Sequence, residues 1–554
     1  MKENSKKKDL LIAFGLNIVF FVVFVFLFGP KHETNDDLAL SLLVEGAYGE
    51  KTPYMIYSNI LWGKLLVGLY TVMPNIKWYI VLMLLMLFLS YLGITYIILR
   101  LQGRKAGLVS STTILMFLGY YSYVVFQYSR IAPIVTTGGI LLLFYAIEHT
   151  NTKCEKWLCL VMGTFMAVWG SLIRFQMFAL AVVLAGGVIG LYKVWEIWKE
   201  KEANWVKQIG VYVAVFGTVG VLSLGCYVFD RMQYSSEEWK YYQEFNTVRT
   251  ELWDYGFPLY VENTEYLESL GISLLDYQYY LSWNMDEELL PLETLHKIAE
   301  LKPDKQFQIL GFLSVFPKLY FGISAFILFL VLSLIAIGIN WKNIYFIIFE
   351  FLGVMVFEAY FYYIGRYGIA RVDHAMWMVA VLTLIYAISK DVKNMEVFLN
   401  MSWERLVLLF GIIGVIFIAD YVRVPLEVDG TAGETKAFYD EVMEDDEHLY
   451  VLISRSPRIY YAFDFWEPSK EGDLSNVYNV YGWEFNHEVK RQALKEYGLT
   501  NIYRDSINNE KVYFASNIEV ELLELYIKQN YDSNAELIKV KEINDIAVWS
   551  LCSW

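Results

Sequence analysis

Apolar residues in this chain come in long unbroken blocks, not at the spacing of a half-buried helix or strand. The first is LLIAFGLNIVFFVVFVFLFGP, preceded by MKENSKKKD. The blocks are about 18 to 23 residues long, close to the roughly 20 residues a helix needs to cross a bilayer core of about 30 Å. The first lacks a small-residue cleavage site after it and is predicted to stay as an anchor, with Lys6 to Lys8 on the cytoplasmic side. Later blocks predict spans near 78–100, 106–127, 131–148, 157–172, 175–192, 208–229, 320–339, 343–363, 372–389 and 404–422, eleven in all.

One block is ambiguous. The run from Tyr54 to Met73 is apolar but carries Lys64 at its middle. If it crossed the membrane, the Arg100, Arg104, Lys105 cluster would fall outside; if it lies along the outer interface, that cluster is cytoplasmic, as positively charged loops should be. The second choice also puts Lys153, Lys193, Lys207 and Lys342 inside.

Two stretches break the apolar pattern. Asp230 to Lys318 is long, aromatic and acidic, with helical segments predicted over Glu237–Trp253 and Leu290–Ile298 and a DYGFP turn between them. After the last span, His448–Arg455 and Asn509–Ser516 predict strands, Asn486–Gly498 and Ile518–Tyr531 amphipathic helices, and Leu537–Leu551 a terminal hairpin. The expected fold is mainly α: a polytopic transmembrane bundle of about 11 spans over residues 1–425, N-terminus inside and C-terminus outside. Exterior loops occupy 31–77, which includes an interfacial helix, and 230–318. A soluble exterior α/β domain follows over 428–554.

Composition agrees: 56% of the 554 residues are hydrophobic and 17% aromatic. The formal net charge is -15. Asp230 to Lys318 carries sixteen acidic and seven basic residues, and Val428 to Trp554 twenty-four and twelve, so the remainder is net positive. Such acidic exterior regions exclude nucleic acid as their partner, because phosphate neutralisation needs Lys and Arg. Four cysteines and six histidines show no metal-ligand spacing.

The candidate chemistry lies in the first exterior stretch, HETNDDLALSLLVEGAYG, where Asp36 and Asp37 stand at a membrane face. An exterior site has no access to cytosolic nucleotide sugars, so an activated donor there would arrive through the membrane, as a sugar on a polyprenyl phosphate. Transfer needs a base for the acceptor hydroxyl and cations for the departing phosphate. Asp36 and Asp37 are the base candidates; TNDD also has the composition of a helix cap, for a helix beginning near Leu38. Arg130, Arg174, Arg366 and Arg371 are the cation candidates, four arginines at exterior span ends where few are expected, and Arg can fork a phosphate. Each could instead snorkel to lipid headgroups.

Gln127, Tyr128 and Gln176 stand beside them as substrate-lining candidates, with His374 near the start of the tenth span. Asn246 and Arg249 share one helical face in the large loop and could line the acceptor entrance or simply face water. No cofactor is expected. A divalent cation on Asp36, Asp37 and Glu45 is the alternative.

An early span, an exterior loop opening with paired acids, an interfacial helix and many later spans resemble the GT-C glycosyltransferases, the superfamily of protein mannosyltransferases and lipid A aminoarabinose transferases. Asn35 to Asp37, Gly46 to Gly49, and Gly365 with Arg366 resemble short motifs of the bacterial GtrII kind and its Gram-positive relatives. The resemblance covers about residues 1–425. It implies an inverting transfer from a polyprenyl-phosphate-linked sugar to a cell-envelope glycan at the exterior face of the cell membrane, with Asp36 as general base, Asp37 assisting and the arginines holding the phosphate. The alternatives are a lipid-linked-glycan polymerase or ligase and a transporter or flippase. A transporter should place charges near mid-membrane, and none stands out in the sequence.

Overall fold

The computed structural model describes residues 2–150, 152–200, 204–302, 306–320, 322–393, 402–423, 432–455, 462–518 and 520–554. The expected junction at 425–428 lies outside them. Among the described residues, nine helices are long and apolar enough to cross a membrane: Ser5–Phe28, Trp78–Gln102, Tyr128–Glu148, Lys153–Ile173, Phe175–Lys199, Trp205–Gln233, Asn343–Tyr363, Ala370–Ser389 and Trp403–Val422. Their outer faces leave Leu11, Leu27, Val213, Val221, Val356 and Val415 exposed, a belt that suits lipid and not water. The chain is a polytopic membrane protein with a helical bundle.

Nine is fewer than the eleven expected, and the two differences have structural reasons. The block expected at 106–127 is helical over Arg104–Ile114 and Tyr120–Tyr123, but a π-helical turn at Leu115–Gly119 interrupts it. The block expected at 320–339 is a 16-residue helix, Ser324–Ile339. A third difference concerns charge. Glu350 lies within the Asn343–Tyr363 helix, fully buried, with neither carboxylate oxygen hydrogen-bonded among the described residues. An ionisable side chain does therefore sit deep in a span, hidden in sequence among FIIFEFLGVMVF.

Tyr128–Glu148 and Ala370–Ser389 form the centre of the bundle, buried over most of their length. In lipid, helix association depends on close backbone approach more than on hydrophobic transfer. Accordingly, Gly139 and Gly163 face one another so tightly that a Cβ on Gly139 would meet the Gly163 carbonyl oxygen at 2.6 Å.

The two ends of the bundle differ in charge. At one end gather the N-terminus and the basic connections: Arg100 and Arg104 clasp Asp9 at 2.9 and 2.7 Å, Lys6 pairs with Glu155, and Lys193 reaches Glu148 at 3.3 Å. At the other end lie residues 31–77, the large loop and the C-terminal domain. The ambiguous run is there a short helix, Ile60–Val72, that buries Ile60, Trp62, Leu66 and Tyr70 and extends Lys64 to Gln233 at 2.9 Å. Its N-terminus is tied to two spans: Asn59 N–H donates to the Leu172 carbonyl at 2.9 Å, and Ile60 N–H to Asp230 at 2.7 Å.

The large loop forms Glu237–Arg249 and Leu292–Glu300 as expected, with Gly256 in the left-handed region at the DYGFP turn. The C-terminal region folds around a five-stranded sheet ordered Val477–Asn479, Leu449–Leu452, Val512–Ser516, Ile546–Ser553 and Ala535–Ile543; the first three are parallel and the last two join antiparallel. The strand Val477–Asn479 escaped prediction because it is only three residues long. Loop and sheet share one hydrophobic core, in which Phe245, Leu252, Tyr279 and Leu295 pack with Val451, Phe514 and Tyr526.

Candidate active site

The helix carrying the acidic pair begins earlier than expected, at Asn35 and not near Leu38, and runs to Glu45. Asp36 and Asp37 therefore lie inside its first turn, and Thr34 is the capping position. Carboxylates there favour the positive end of the helix dipole. Successive residues on a helix point about 100° apart, and this rotation separates the two carboxyl groups.

Asp37 turns inward and is fully buried. Its Oδ1 accepts from the Tyr79 hydroxyl at 3.0 Å and from the Tyr128 backbone N–H at 3.0 Å, tying the helix to two spans. Burial pushes its carboxyl well above the ordinary carboxylate range, against the pull of the Tyr79 hydrogen bond, with the neighbouring charge of Asp36 adding to the rise.

Asp36 turns the other way. Its side chain is 17% exposed, and Oδ2 lies 3.9 Å from the Arg371 guanidinium. The group that organises this side is Tyr57, which has no motif around it in sequence. Burial raises its hydroxyl pKa, and the phenol faces Arg249, Asp36, Asn246 and Asp254. Arg174 stacks over the rings of Tyr57 and Tyr128 at 5.8 and 4.7 Å and donates to the Ser129 hydroxyl. Asp254, from the DYGFP turn, lies 3.8 Å from Arg249 and 3.6 Å from Arg366, and Arg366 covers the Tyr255 ring at 5.1 Å. Asn246 and Arg249 do share a face, with Arg249 Nε donating to Asn246 Oδ1 at 2.8 Å. That face is not solvated: Arg249 is 3% exposed.

Five of the sequence candidates take other places. Arg130 is 1% exposed and forked by Glu33, with both Glu33 oxygens 2.9 Å from Nη2, while Nη1 donates to the carbonyls of Val125 and Tyr121. With both terminal nitrogens so engaged, and Nε buried without a partner among the described residues, Arg130 stands as a strut and not in the open arginine cluster. Gln127 caps the Tyr128–Glu148 helix by accepting from Ser129 N–H, and Tyr128 gives its backbone N–H to Asp37 and its ring to Arg174. His374 is buried edge-on against Tyr121, centroids 5.0 Å apart. Gln176 is exposed and takes no part in these hydrogen bonds.

The suggested cation site of Asp36, Asp37 and Glu45 is not assembled either. Glu45 is buried in an ion pair with Lys77 at 2.9 Å and accepts from Tyr70, Ser41 and the Ser469 backbone N–H. Among the described residues, no group of three or more His, Cys, Asp or Glu is placed to hold a metal.

The C-terminal domain reaches this site, a role that nothing in its sequence signalled. Gly46, in the left-handed region at the helix end, and Ala47 accept backbone hydrogen bonds from Gly472 and Leu474 at 2.9 and 2.7 Å. Trp483 lies edge-on to Tyr57 at 5.5 Å. Behind it Glu484 is paired with Lys490 at 3.9 Å, and burial raises the Glu484 carboxyl, with the charge of Asp36 contributing. His487 donates from Nε2 to the Tyr54 carbonyl at 3.1 Å and accepts the Val489 N–H at Nδ1.

No family model matches the sequence, and no curated relative does. Solved structures similar to this chain include ArnT from Cupriavidus metallidurans bound to undecaprenyl phosphate, with a TM-score of 0.41 and 10% identity over 98% of this chain and 97% of that one. ArnT in the apo state gives a TM-score of 0.41 at 9% identity, over 98% and 97%. The archaeal oligosaccharyltransferase AglB from Archaeoglobus fulgidus, in complex with an inhibitory peptide and a dolichol-phosphate, gives a TM-score of 0.43 at 11% identity, over 96% of this chain and 71% of that one.

Proposed function

We propose that this chain is an integral membrane glycosyltransferase that moves a sugar from a polyprenyl-phosphate donor to a cell-envelope glycan, with its site on the exterior face. One observation carries the proposal. Around Tyr57, among the described residues, the guanidinium groups of Arg174, Arg249, Arg366 and Arg371 are balanced by two open carboxylates, Asp36 and Asp254. Asp37 is held toward its neutral form by burial. The surplus is positive, at the end of a membrane bundle, and it suits a lipid phosphate.

In the proposed reaction the acceptor hydroxyl attacks the anomeric carbon of the donor sugar from the face opposite the phosphate, and Asp36 takes the hydroxyl proton. The bond between the anomeric carbon and the phosphate oxygen breaks, and its electron pair leaves on the phosphate. The arginines stabilise that growing charge, and the configuration inverts. Asp37 fixes the turn that presents Asp36.

Asp36→Asn and Asp37→Asn, expressed at wild-type level, test the reading by analysis of surface-glycan sugars. Loss of one sugar with Asp36→Asn is the expected result. Full retention of the glycan by both variants would falsify it.

A further inference from the structure

Beyond the membrane site, the large loop and the C-terminal domain enclose a cleft of about 440 Å³, continued by a second of about 450 Å³. Both volumes lie in the range of ligand pockets, ~300–1,000 Å³. Asn486, Arg491 and Lys495 line both. Arg491 and Lys495 are four residues apart on the Glu488–Glu496 helix and so share a face.

The polar groups of this cleft divide by chemistry. In its first part the acidic acceptors are already engaged: Asp286 takes the hydroxyls of Tyr526 and Tyr531 at 2.9 and 2.5 Å, Glu287 takes that of Tyr241, and Glu288 is forked by Arg504 at 2.8 and 2.9 Å. The second part adds three exposed carboxylates, Glu238, Glu488 and Glu496, of which Glu496 accepts from Gln492. Three of its donor side chains, those of Asn486, Arg491 and Lys495, are not so engaged. Among the described residues, the side chains of Arg491 and Lys495 have no hydrogen-bond or ion-pair partner, and Arg491 lies 5.7 Å over the Tyr241 ring. Asn486 is 4% exposed, stands in the left-handed region at φ 62°, and has a buried Nδ2 without a partner among the described residues. A buried amide donor left unpaired costs about 1–3 kcal/mol unless something fills the space.

The cleft also adjoins the membrane site. Tyr242 lines its second part, donates its hydroxyl to the Trp483 carbonyl at 2.5 Å, and Trp483 in turn packs on Tyr57. Phe485 and Tyr478 supply aromatic surface on the other side.

We infer that this cleft is a saccharide-binding subsite that takes an anionic sugar unit, carrying a carboxylate or a phosphate, through Asn486, Arg491 and Lys495. In the glycosyltransferase reading it would hold the acceptor glycan at a distance from the transfer point, and only that last role rests on the reading. The inference identifies the acceptor as a charged polymer despite the acidic character of the exterior regions as a whole.

The test is calorimetric titration of the purified full chain with trigalacturonate, an oligomer of glycerol phosphate, and maltotriose. Binding of one anionic probe in preference to maltotriose, weakened by added salt and reduced about tenfold or more in Arg491→Ala and in Lys495→Ala, is expected; which probe binds identifies carboxylate or phosphate. Lys495 is exposed, so its variant reports on binding without disturbing the fold. Equal binding of maltotriose, no binding by any probe, or affinity unchanged in both variants overturns the inference. Asp36→Asn should retain the binding, which separates failure of this subsite from failure of the transferase reading.

Discussion

Two sets of charged residues meet different fates at the site end of the bundle. In one set, Arg130 with Glu33 and Lys77 with Glu45 pair at 2.9 Å with both cations buried, and Arg130 Nη1 and Glu45 take further backbone and hydroxyl partners. In the other, Arg371 with Asp36, Arg366 with Asp254 and Arg249 with Asp254 stand 3.6 to 3.9 Å apart. Arg366 and Arg371 are 29% and 24% exposed. The first set is enclosed; in the second, Arg366 and Arg371 are open enough to exchange their partners for a ligand, while Arg249 is buried beside them. An arginine at a membrane face is thus no more a phosphate ligand than a strut until its partners are known.

Four measurements would break or sharpen this contrast. The largest effect is expected from Asp36→Asn, which should lower transfer by about 10³-fold, within the range for a general base, while thermal stability stays near wild type. A fall in stability with transfer retained would put Asp36 in the enclosed set. Arg130→Ala should do the reverse, costing about 3–5 kcal/mol by stranding Glu33 and two carbonyls, read as a drop in the unfolding midpoint in detergent. Were Arg130→Ala to fold normally and lose only donor affinity, the division drawn here would fail.

The third is a pH effect at the border between the sets. Burial holds the His487 imidazole down to about 4, well below its ordinary value of 6.5. Its neutral form satisfies Tyr54 and Val489 together, so the interface is strongest above pH 6.5 and weakens as pH falls toward 4, by on the order of 3 kcal/mol. Hydrogen exchange of residues 481–490 between pH 7 and 4.5 should record the loosening, and His487→Gln should flatten it. Smallest is Arg371→Ala, expected to raise the donor KM about tenfold, the value of one charge-assisted contact, with little change in stability. A change confined to kcat would instead place Arg371 on Asp36 alone.

The sequence by itself carried the parts of this protein that follow from composition along the chain. Apolar block length marks the spans because lipid gives backbone polar groups no partner, so each block must be a helix. The Arg100, Arg104, Lys105 cluster, more than Lys64, put the Tyr54–Met73 run along the interface, because positively charged connections stay on the cytoplasmic side. Period-two and period-3.6 patterns marked four of the five C-terminal strands and their helices because one face of each is buried. The site was legible only as a set of unusual positions: two adjacent acids and arginines at the wrong end of a span. Its division was not. Whether Asp36 or Asp37 faces outward depends on the helix starting at Asn35. Whether Arg130 is free depends on Glu33, ninety-seven residues away in sequence. Tyr57, Asp254 and Trp483 meet only because three separate segments converge. Such partnerships are long-range pairings that no local pattern encodes, and they are what the tertiary structure decided.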